Sequence, residues 1–453
     1  MGLCGNRRLR AGGLAVVGLA LVAVACGGRG DPGTPLGLYD PTPAAQSTDQ
    51  TPTGGAEPAS GAADPIPRAP FLDPSATVTP AGEPIIRSEF RPRIDASFTL
   101  WGTNWKIRLI DVNELVSGGI PRDGVQSIDA PKFQSLAEVA GLYGDETPVI
   151  RVEIDGDARA YPLQILAWHE VVNDVVGGVP LVVTFCPLCN SALAYERVVQ
   201  GEVFEFGVSG ALRNSDLIMY DRSTESLWQQ IGGKALVGDM VGAVLTPRNA
   251  QILSFAQFRA SHPDGVVLSQ DTGTSRERDY SISAYRGYDS VFAEAAFDVA
   301  NAEDRRLPPF ERVVALLLAD EALAYPFSVL SELRVINDRR AGRPLVVFWT
   351  PGTVSALDER EILDSRDVGS SGVFRAERDG LSLTFRPDPD DPDLFRDQET
   401  GSTWNIVGEA VDGPLIGTQL EPLIHANHFW FAWVAFEPET IIVTSESIVT
   451  GEG

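Results

Sequence analysis

Two cysteines, Cys186 and Cys189, have the residue type and the spacing that could do chemistry in this chain. A Cys-x-x-Cys pair can cycle between dithiol and disulfide, or it can supply two soft ligands to zinc or copper. In an exported protein the same pair can be a structural disulfide. We favour a reactive or metal-binding pair, because a disulfide that closes so short a loop removes little entropy from the unfolded chain.

Polar residues elsewhere in the first half of the chain are candidates for the same site. His169 lies in a predicted helix before the cysteine strand, and its imidazole would complete the set of soft metal ligands. An arginine in a cleft can bind a carboxylate or phosphate, or lower the pKa of a thiol. The side chains predicted to bind a substrate are Glu170, Arg213, Asn214, Asp271 and Arg278.

These side chains must be positioned by a strand, a helix and several turns. The apolar, β-branched run 180–185 predicts a buried strand that ends at the first cysteine. Pro162 is typical of a first helical turn, so a helix is expected to begin there and to carry His169. Alternating segments such as 203–209 and 216–220 predict antiparallel strands that are joined by glycine-rich turns.

A second pair of histidines lies near the end of the chain. His425 and His428 have the spacing that puts both side chains on one face of a helix. They directly precede Trp430 and Trp433, which have the same i, i+3 spacing as Phe255 and Phe258 in a predicted core helix of the first half. We therefore interpret this region mainly as core, with the two histidines as secondary candidates for ligands.

An internal repeat organises the folded part of the chain. Residues 160–193 align without gaps with residues 324–357, and the elements Tyr-Pro, Asn-Asp, Gly-x-Pro-Leu-Val-Val and Ser-Ala-Leu recur. A second block, 221–263, aligns with 397–438. The sequence therefore predicts an α+β fold, built by tandem duplication of a mostly antiparallel β unit with flanking helices.

The two copies differ at the residues that could do chemistry. Residues kept in both copies are explained by the shared fold, whereas reactive residues found in one copy are candidates for its function. The replacements from the first copy to the second are His169 to Leu333, Glu170 to Arg334, Cys186 to Thr350 and Cys189 to Thr353. All four potential ligating or polar residues are replaced in the second copy, so this copy is expected to be a degenerate scaffold.

The N-terminus has the pattern of an export signal. Basic residues precede the apolar run 14–25, which ends in small residues directly before Cys26. The run is too short to span a bilayer, which takes about 20 residues. Ala23-Val-Ala-Cys26 resembles a bacterial lipobox, in which the cysteine is lipidated. Cys4 would leave with the signal, so the exported protein would keep only the Cys-x-x-Cys pair as thiols.

The chain is thereby divided into four predicted parts. They are a signal peptide at 1–25, a lipid-anchored disordered tether at 26–92, a first repeat unit with the cysteine site at 93–305, and a second, degenerate repeat unit at 306–453. The tether is rich in Pro, Gly, Ser and Thr and lacks the apolar periodicity of a folded segment. This organisation predicts a protein of the cell envelope, outside the cytoplasm.

Composition excludes several classes of function. The chain has 62 acidic against 36 basic residues, a net charge of −26, and so acidic a surface repels the phosphate backbone of nucleic acids. Phosphate-binding loops, serine-hydrolase elbows and His-Glu-x-x-His motifs are missing from the sequence. The expected partners are a membrane, through the N-terminal lipid, and a metal ion or an exported thiol protein.

Three stretches, 185–192, 210–228 and 271–280, resemble domain-of-unknown-function family 3179, which occurs in exported proteins of bacteria and archaea. The resemblance implies export but no activity. The sequence therefore predicts an extracytoplasmic lipoprotein whose Cys-x-x-Cys/His site binds copper or zinc or performs thiol–disulfide exchange. The alternative is a non-catalytic cell-surface interaction module with a structural disulfide, and whether the protein is an enzyme stays open.

Overall fold

The computed structural model describes residues 71–73, 75–88, 101–274, 278–290, 295, 297–318 and 320–444. The predicted signal peptide, the predicted lipidation residue Cys26 and most of the predicted tether lie outside these residues. None of the helices in the described ranges is long and apolar enough to cross a membrane.

The elements fall into an N-terminal part and two segments, which we define as the first segment, 148–268, and the second segment, 312–442. The N-terminal part contains β1 (Ile86–Arg87), β2 (Ile107–Arg108), the 3-10 helix Val112–Glu114, β3 (Val116–Ser117) and β4 (Phe133–Ser135). The first segment contains β5 (Pro148–Ile154), β6 (Asp157–Pro162), α1 (Leu163–His169), β7 (Val171–Val176), β8 (Val179–Cys186), β9 (Ser191–Glu196), β10 (Val198–Val199), β11 (Glu202–Val203), β12 (Phe206–Arg213), β13 (Asp216–Asp221), β14 (Leu227–Gln229), β15 (Ala235–Val237), β16 (Thr246–Arg248), β17 (Gln251–Ser254), α2 (Phe255–Ser261) and β18 (Val266–Leu268).

The second segment is described in the same way. It contains β19 (Arg312–Leu318), β20 (Glu321–Pro326), α3 (Phe327–Leu333), β21 (Val335–Arg340), β22 (Arg343–Thr350), the 3-10 helix Ile362–Asp364, β23 (Ser370–Arg375), β24 (Glu377–Arg378), β25 (Leu381–Ser382), β26 (Phe385–Pro387), β27 (Phe395–Asp397), β28 (Thr403–Trp404), β29 (Ala410–Asp412), β30 (Ala426–Phe429), α4 (Trp430–Val434) and β31 (Ile441–Ile442).

The fold class is mostly β, with 40% strand and 9% helix, so the prediction of an α+β fold with flanking helices is wrong. Each of α1 to α4 has only five to seven residues, which is too short to cover a sheet. The helix α1 ends because Glu170 takes a φ of 58°, and α3 ends at Arg334 with a φ of 61°. Positive φ breaks the right-handed helix, and the chain turns at once into a strand.

The predicted helix face for His425 and His428 is also wrong. His428 lies in β30, and His425 directly precedes that strand. The following helix α4 begins only at Trp430. The spacing of three residues therefore occurs in extended chain, where it does not put two side chains on one face.

Antiparallel pairing dominates the sheets that hold the cysteine region. The strands β16, β9, β8 and β7 form one sheet, and a larger sheet has the order β1-β2-β15-β14-β13-β12-β3. Two pairs, β18 with β6 and β20 with β31, are parallel. Cys186 at the end of β8 pairs with Ser191 at the start of β9, so the chain reverses within the four residues between them.

The two segments have the same elements in the same order over most of their length. The series β5-β6-α1-β7-β8 corresponds to β19-β20-α3-β21-β22, and both series keep the same strand lengths. The Asn173 side chain bonds to the backbone N–H and C=O of Phe206, and Asn337 makes the same two bonds to Phe385. The origin of this similarity in a duplication stays a prediction.

The segments diverge directly after β8 and β22. In the first segment, the turn 187–190 leads into β9, whose first residues are Ser191, Ala192 and Leu193. In the second segment the aligned residues 355–357 lie in a long loop, and the strand that pairs with β22 is β23, which begins at Ser370. The structural correspondence of the two segments therefore holds up to the strand end and fails directly after it, although the sequences align without gaps to residues 193 and 357.

Apolar side chains of the two segments share one core. Val149 and Phe258 of the first segment cluster with Phe348, Phe395 and Trp404 of the second. The rings of Phe348 and Phe395 stack with centroids 4.0 Å apart. Full burial of such side chains contributes about 1.5–3 kcal/mol each, so the segments stabilise one another.

Candidate metal-binding site

The turn between β8 and β9 carries both cysteines. Cys186 is the last residue of β8, and the N–H of Cys189 bonds back to the carbonyl oxygen of Cys186 at 3.2 Å. Asn190 closes the turn with a φ of 51°, in the left-handed region that asparagine tolerates. Both cysteines are free thiols, and both are buried.

A second turn, the tip of the β12–β13 hairpin, brings polar groups to the two sulfurs. Arg213 pairs with Asp216, and the two residues between them, Asn214 and Ser215, both have positive φ, as a two-residue hairpin turn of type I′ requires. The carbonyl oxygen of Ser215 lies 3.4 Å from Sγ of Cys189. Its distance from the other sulfur is 3.8 Å. The hairpin therefore fixes its tip against the cysteine turn.

The side chain of Asp216 completes a group of three potential ligands. One Asp216 carboxylate oxygen and the sulfurs of Cys186 and Cys189 all lie within 4.8 Å of one another. Oδ2 of Asp216 accepts hydrogen bonds from Nε2 of Gln229 at 2.5 Å and from the N–H of Ile231 at 2.9 Å. Oδ1 is buried and makes no hydrogen bond of good geometry within the described residues, and the Cys189 thiol lies close enough to interact with the carboxylate. Two bonds thus hold the carboxylate in place and leave one oxygen for a ligand.

Burial controls the electrostatics of this group. It raises the pKa of the Cys186 thiol, and the nearby charges of Asp216 and Glu170 add to that effect. Burial also raises the pKa of Cys189 well above its ordinary value. The pKa of Asp216 rises to about 6 for the same reason. Negative charge is unfavourable here unless a cation compensates it.

Glu170 lies next to the group. It follows the last residue of α1, and its carbonyl oxygen accepts the N–H of Phe185, which ties the end of α1 to β8. The hydroxyl of Tyr285 donates to Oε1 of Glu170 at 3.3 Å. Burial raises the pKa of Glu170 to about 7, and the charge of Asp216 contributes to that rise. Of the predicted substrate-binding residues, Glu170 is the one that acts electrostatically on a cysteine of the group.

The structure does not bring His169 into the group. Its Nδ1 lies 2.7 Å from the carbonyl oxygen of Gln126, which can only accept, so Nδ1 carries the proton. Nε2 then accepts a hydrogen bond from the hydroxyl of Tyr280 at 2.6 Å. Burial lowers the pKa of His169, which keeps the ring neutral. Both ring nitrogens are thus used in holding neighbouring loops.

Arg213 and Asn214 lie at the hairpin tip, but their side chains make other contacts. The Arg213 guanidinium pairs with the carboxylate of Glu114 at 2.7 Å. Oδ1 of Asn214 accepts the N–H of Ala300 at 3.0 Å. These contacts fix the tip of the hairpin, so both residues help to position the neighbouring Asp216.

The last two predicted substrate-binding residues lie in the polar loop after β18. Asp271 pairs with Lys132 at 2.6 Å, and both side chains are more than half exposed. The guanidinium of Arg278 lies 4.6 Å from the ring centroid of Trp168. Neither belongs to the group of three potential ligands.

Asp216 is the group member that sequence reasoning missed. The signal was present, because an aspartate opens the otherwise apolar run Asp216-Leu-Ile-Met-Tyr220. The residue is fully buried, and buried carboxylates need a specific partner. The residue of the second segment that aligns with Asp216 is Pro392, in the loop before β27.

A buried pair of thiols and a carboxylate, held at strand ends of a mostly β scaffold, defines a β protein with a candidate metal centre. The chain belongs to the family of proteins of unknown function DUF3179, whose family model matches residues 122–440. This match confirms the resemblance seen in the sequence. No curated protein and no solved structure is significantly similar to the chain.

Proposed function

We propose that this protein binds a thiophilic divalent metal ion, in the first place Zn²⁺, through Cys186, Cys189 and Asp216. The observation that carries the proposal is the convergence of two sulfurs and one carboxylate oxygen within 4.8 Å in a buried site. The burial of the Asp216 carboxylate supports it, because Oδ1 makes no hydrogen bond of good geometry within the described residues and a cation would stabilise its charge.

The chemistry of the donor set favours zinc over copper. Zn²⁺ accepts both thiolate sulfur and carboxylate oxygen, whereas Cu(I) is selected by soft ligands alone. Three protein ligands would leave one position of a tetrahedral zinc ion open, as in catalytic sites. A bound zinc ion would supply Lewis acidity and would keep coordinating thiols deprotonated. It would thereby offset the raised pKa values of Cys186 and Cys189.

Thiol–disulfide exchange is the second candidate, and the proximity of two free thiols favours it. The attacking species in such an exchange is a thiolate, whose population falls as the pKa of the thiol rises. Burial raises both pKa values here and so disfavours the thiolate in either function. The Asp216 carboxylate in the group favours metal binding, because a metal ion compensates its charge and that of the thiolates. The predicted alternative, an interaction module with a structural disulfide, stays the third candidate.

The cellular setting is part of the proposal. The signal pattern at 14–25 and the lipobox before Cys26 support a lipid-anchored protein of the cell envelope, outside the cytoplasm. Replacing Cys26 by serine and fractionating the cells tests the anchor. The variant is expected in the soluble fraction, and unchanged retention in the membrane would contradict the anchor.

The metal site is tested by metal analysis of the full chain, purified without chelators under anaerobic conditions. We expect about one zinc ion per chain in the native protein and less than about 0.1 in Cys186→Ser, Cys189→Ser and Asp216→Asn, because each change removes a ligand. Asp221→Asn is the matched control. It alters a buried aspartate at the other end of β13 that bonds to its own turn, so the zinc should stay.

Two results would contradict the proposal. One is a native chain that stays metal-free even when it is titrated with Zn²⁺ at micromolar concentration. The other is a zinc content that all three ligand variants retain. A metal-free pair with a reduction potential above roughly −300 mV would instead support thiol–disulfide exchange.

A further inference from the structure

We propose that residues 278–290 form an opening cover over the thiol site, and that the buried pair Asp289–Arg312 is the clasp that keeps this cover closed. The inference rests on the proposed function in one respect only, which is that both concern the thiols of Cys186 and Cys189. The cover would control how fast metal ions or thiol reagents from solvent gain access to Cys186 and Cys189.

The inner side of the cover consists of three buried tyrosines. The hydroxyl of Tyr280 bonds to His169, and that of Tyr285 bonds to Glu170. Tyr288 donates to the carbonyl oxygen of Leu188 at 3.1 Å, and Leu188 lies between the two cysteines in the chain. Each tyrosine thus bonds to the turn or to the helix end beside the thiols.

The outer side of the cover bonds to the long loop 351–369 of the second segment. Ser283 donates from its hydroxyl to the carbonyl oxygen of Ala356 at 2.7 Å and from its N–H to that of Arg360 at 2.8 Å. The N–H of Tyr288 bonds to the carbonyl oxygen of Leu357 at 3.0 Å. This loop replaces the short cysteine turn of the first segment. The segment without thiols therefore supports the cover of the segment that has them.

Asp289 is the most strongly bound residue of the cover. Its side chain is fully buried, and its carboxylate accepts hydrogen bonds from Arg312, from the hydroxyl of Ser355 at 2.5 Å and from Arg366 at 3.1 Å. Arg312 is itself buried, at the start of β19. A buried charge pair that loses one partner leaves the other charge uncompensated, so the pair holds the cover firmly only while it is complete.

The clasp is coupled to the cysteine turn through one aromatic residue. The guanidinium of Arg312 lies 5.3 Å from the ring centroid of Phe429, and the N–H of Phe429 donates to the carbonyl oxygen of Cys189 at 2.9 Å. The rest of the cover has no helix or strand and a single β-bridge, between Ile282 and Glu361. A segment with so few ladder bonds can open without global unfolding, and the clasp determines how often it does.

The test measures the reaction of the two thiols with an aromatic disulfide reagent in metal-free, full-length protein. Cys4 and Cys26 are replaced by serine so that Cys186 and Cys189 are the only thiols that can react with the reagent. Asp289→Asn should raise the reaction rate at least about tenfold, because Arg312 is left buried without its counter-charge. Asp289→Glu keeps the charge and should restore most of the closure. Metal-free protein is used so that the result does not depend on the proposed metal function.

A matched control separates opening of the cover from general destabilisation. Asp338→Asn breaks another aspartate–arginine pair, the largely buried one with Arg340, that makes no described contact with the cover. Its thiol rate should stay within about twofold of the parent at low denaturant. If Asp289→Asn fails to fold, Arg366→Gln removes a half-exposed partner of Asp289 and should raise the rate about threefold.

Two outcomes would contradict the proposal that residues 278–290 form an opening cover. In the first, Asp289→Asn or Arg366→Gln leaves the thiol rate unchanged. In the second, the rate rises equally in Asp338→Asn and depends steeply on denaturant in every variant, which would mean that the thiols react only after global unfolding. A raised rate that is independent of denaturant at low concentration supports local opening.

Discussion

The strand ends of β8 and β22 occupy corresponding places in the two segments, yet one carries two thiols and the other carries two hydroxyls. Thr350 accepts a hydrogen bond from Gln257 at 2.8 Å, and the hydroxyl of Thr353 lies 2.6 Å from that of Ser370. The hydroxyl groups are thus satisfied within the protein, whereas the thiols lie beside a buried carboxylate oxygen that makes no well-formed hydrogen bond to the described residues. The same arrangement of strands therefore forms whether this strand end carries thiols or hydroxyl groups.

The surroundings of the two strand ends differ as much as their side chains. In the second segment an open cleft of about 720 Å³ has Pro351 and Gly352 in its wall, together with Asp393 from the loop that replaces the β12–β13 tip. In the first segment, the tyrosines of the cover 278–290 pack over the corresponding turn. One strand end is therefore enclosed, and the other faces a cleft.

Exchanging the residues of the two strand ends should have the largest effect. Cys186→Thr with Cys189→Thr should abolish zinc binding, from about one ion per chain to less than about 0.1, because both sulfur ligands are lost. The reverse pair, Thr350→Cys with Thr353→Cys, should add no zinc, because the carboxylate beside that turn, Asp367, already accepts the N–H groups of Gly352 and Thr353. Metal analysis of both variants checks the comparison, and a second zinc ion in the reverse pair would show that two thiols suffice.

Removing a feature that both segments share should destabilise them equally. Asp221 accepts bonds from Thr224 and Trp228, and Asp397 accepts the same bonds from Thr400 and Trp404. Either change to asparagine should lower the free energy of unfolding by about 1–3 kcal/mol, because buried donors lose their acceptor. Denaturant titration followed by tryptophan fluorescence measures both. Effects that differ by more than about 2 kcal/mol would contradict the shared role.

A titrating group present in one segment only should give that segment its own pH dependence. Burial lowers the pKa of His428 to about 3, from 6.5, and the corresponding residue of the first segment is Leu253. Because the folded pKa is the lower one, the unfolded chain binds the proton more tightly, and stability is lost as the pH falls from 6.5 towards 3. His428→Leu should remove about 2 kcal/mol of this loss at pH 5.

Denaturant titrations of metal-free protein at pH 7.5 and pH 5 measure that difference. His428 stacks on Trp433 with ring centroids 5.2 Å apart, and leucine keeps an apolar contact there. The half-buried His262 remains in both chains, so its own contribution cancels. Equal acid sensitivity of the variant and the parent would show that His428 is protonated readily in the folded state.

The smallest effect is expected where a shared contact differs in burial. Asn173 is buried and makes a third bond, to Asp129, beyond the two that it shares with the exposed Asn337. Asn173→Ala should therefore destabilise the protein by about 1 kcal/mol more than Asn337→Ala. The two denaturant midpoints check this order. A larger loss for Asn337→Ala would mean that burial does not set the strength of this contact.

The sequence predicted the secondary structure around the cysteines because the evidence for it is local. β-branched runs gave the strand that ends at Cys186, and Pro162 marked the start of α1, which begins one residue later. The prediction of the fold class was wrong because the sequence pattern did not show how short the helices are. The chain leaves α1 at Glu170 through a positive φ that no composition rule assigns to glutamate.

The sequence by itself determined which two residues could do chemistry, since the comparison of its two halves isolates Cys186 and Cys189. Only the tertiary structure decided which side chain lies beside them. The sequence predicted His169 as the third member of the site, and the structure has Asp216 there. Asp216 is 27 residues from the nearer cysteine, and a hairpin tip folds it back onto the cysteine turn. Contacts of this kind depend on how strands from different sheets pack together, and residue spacing along the chain carries no record of that packing.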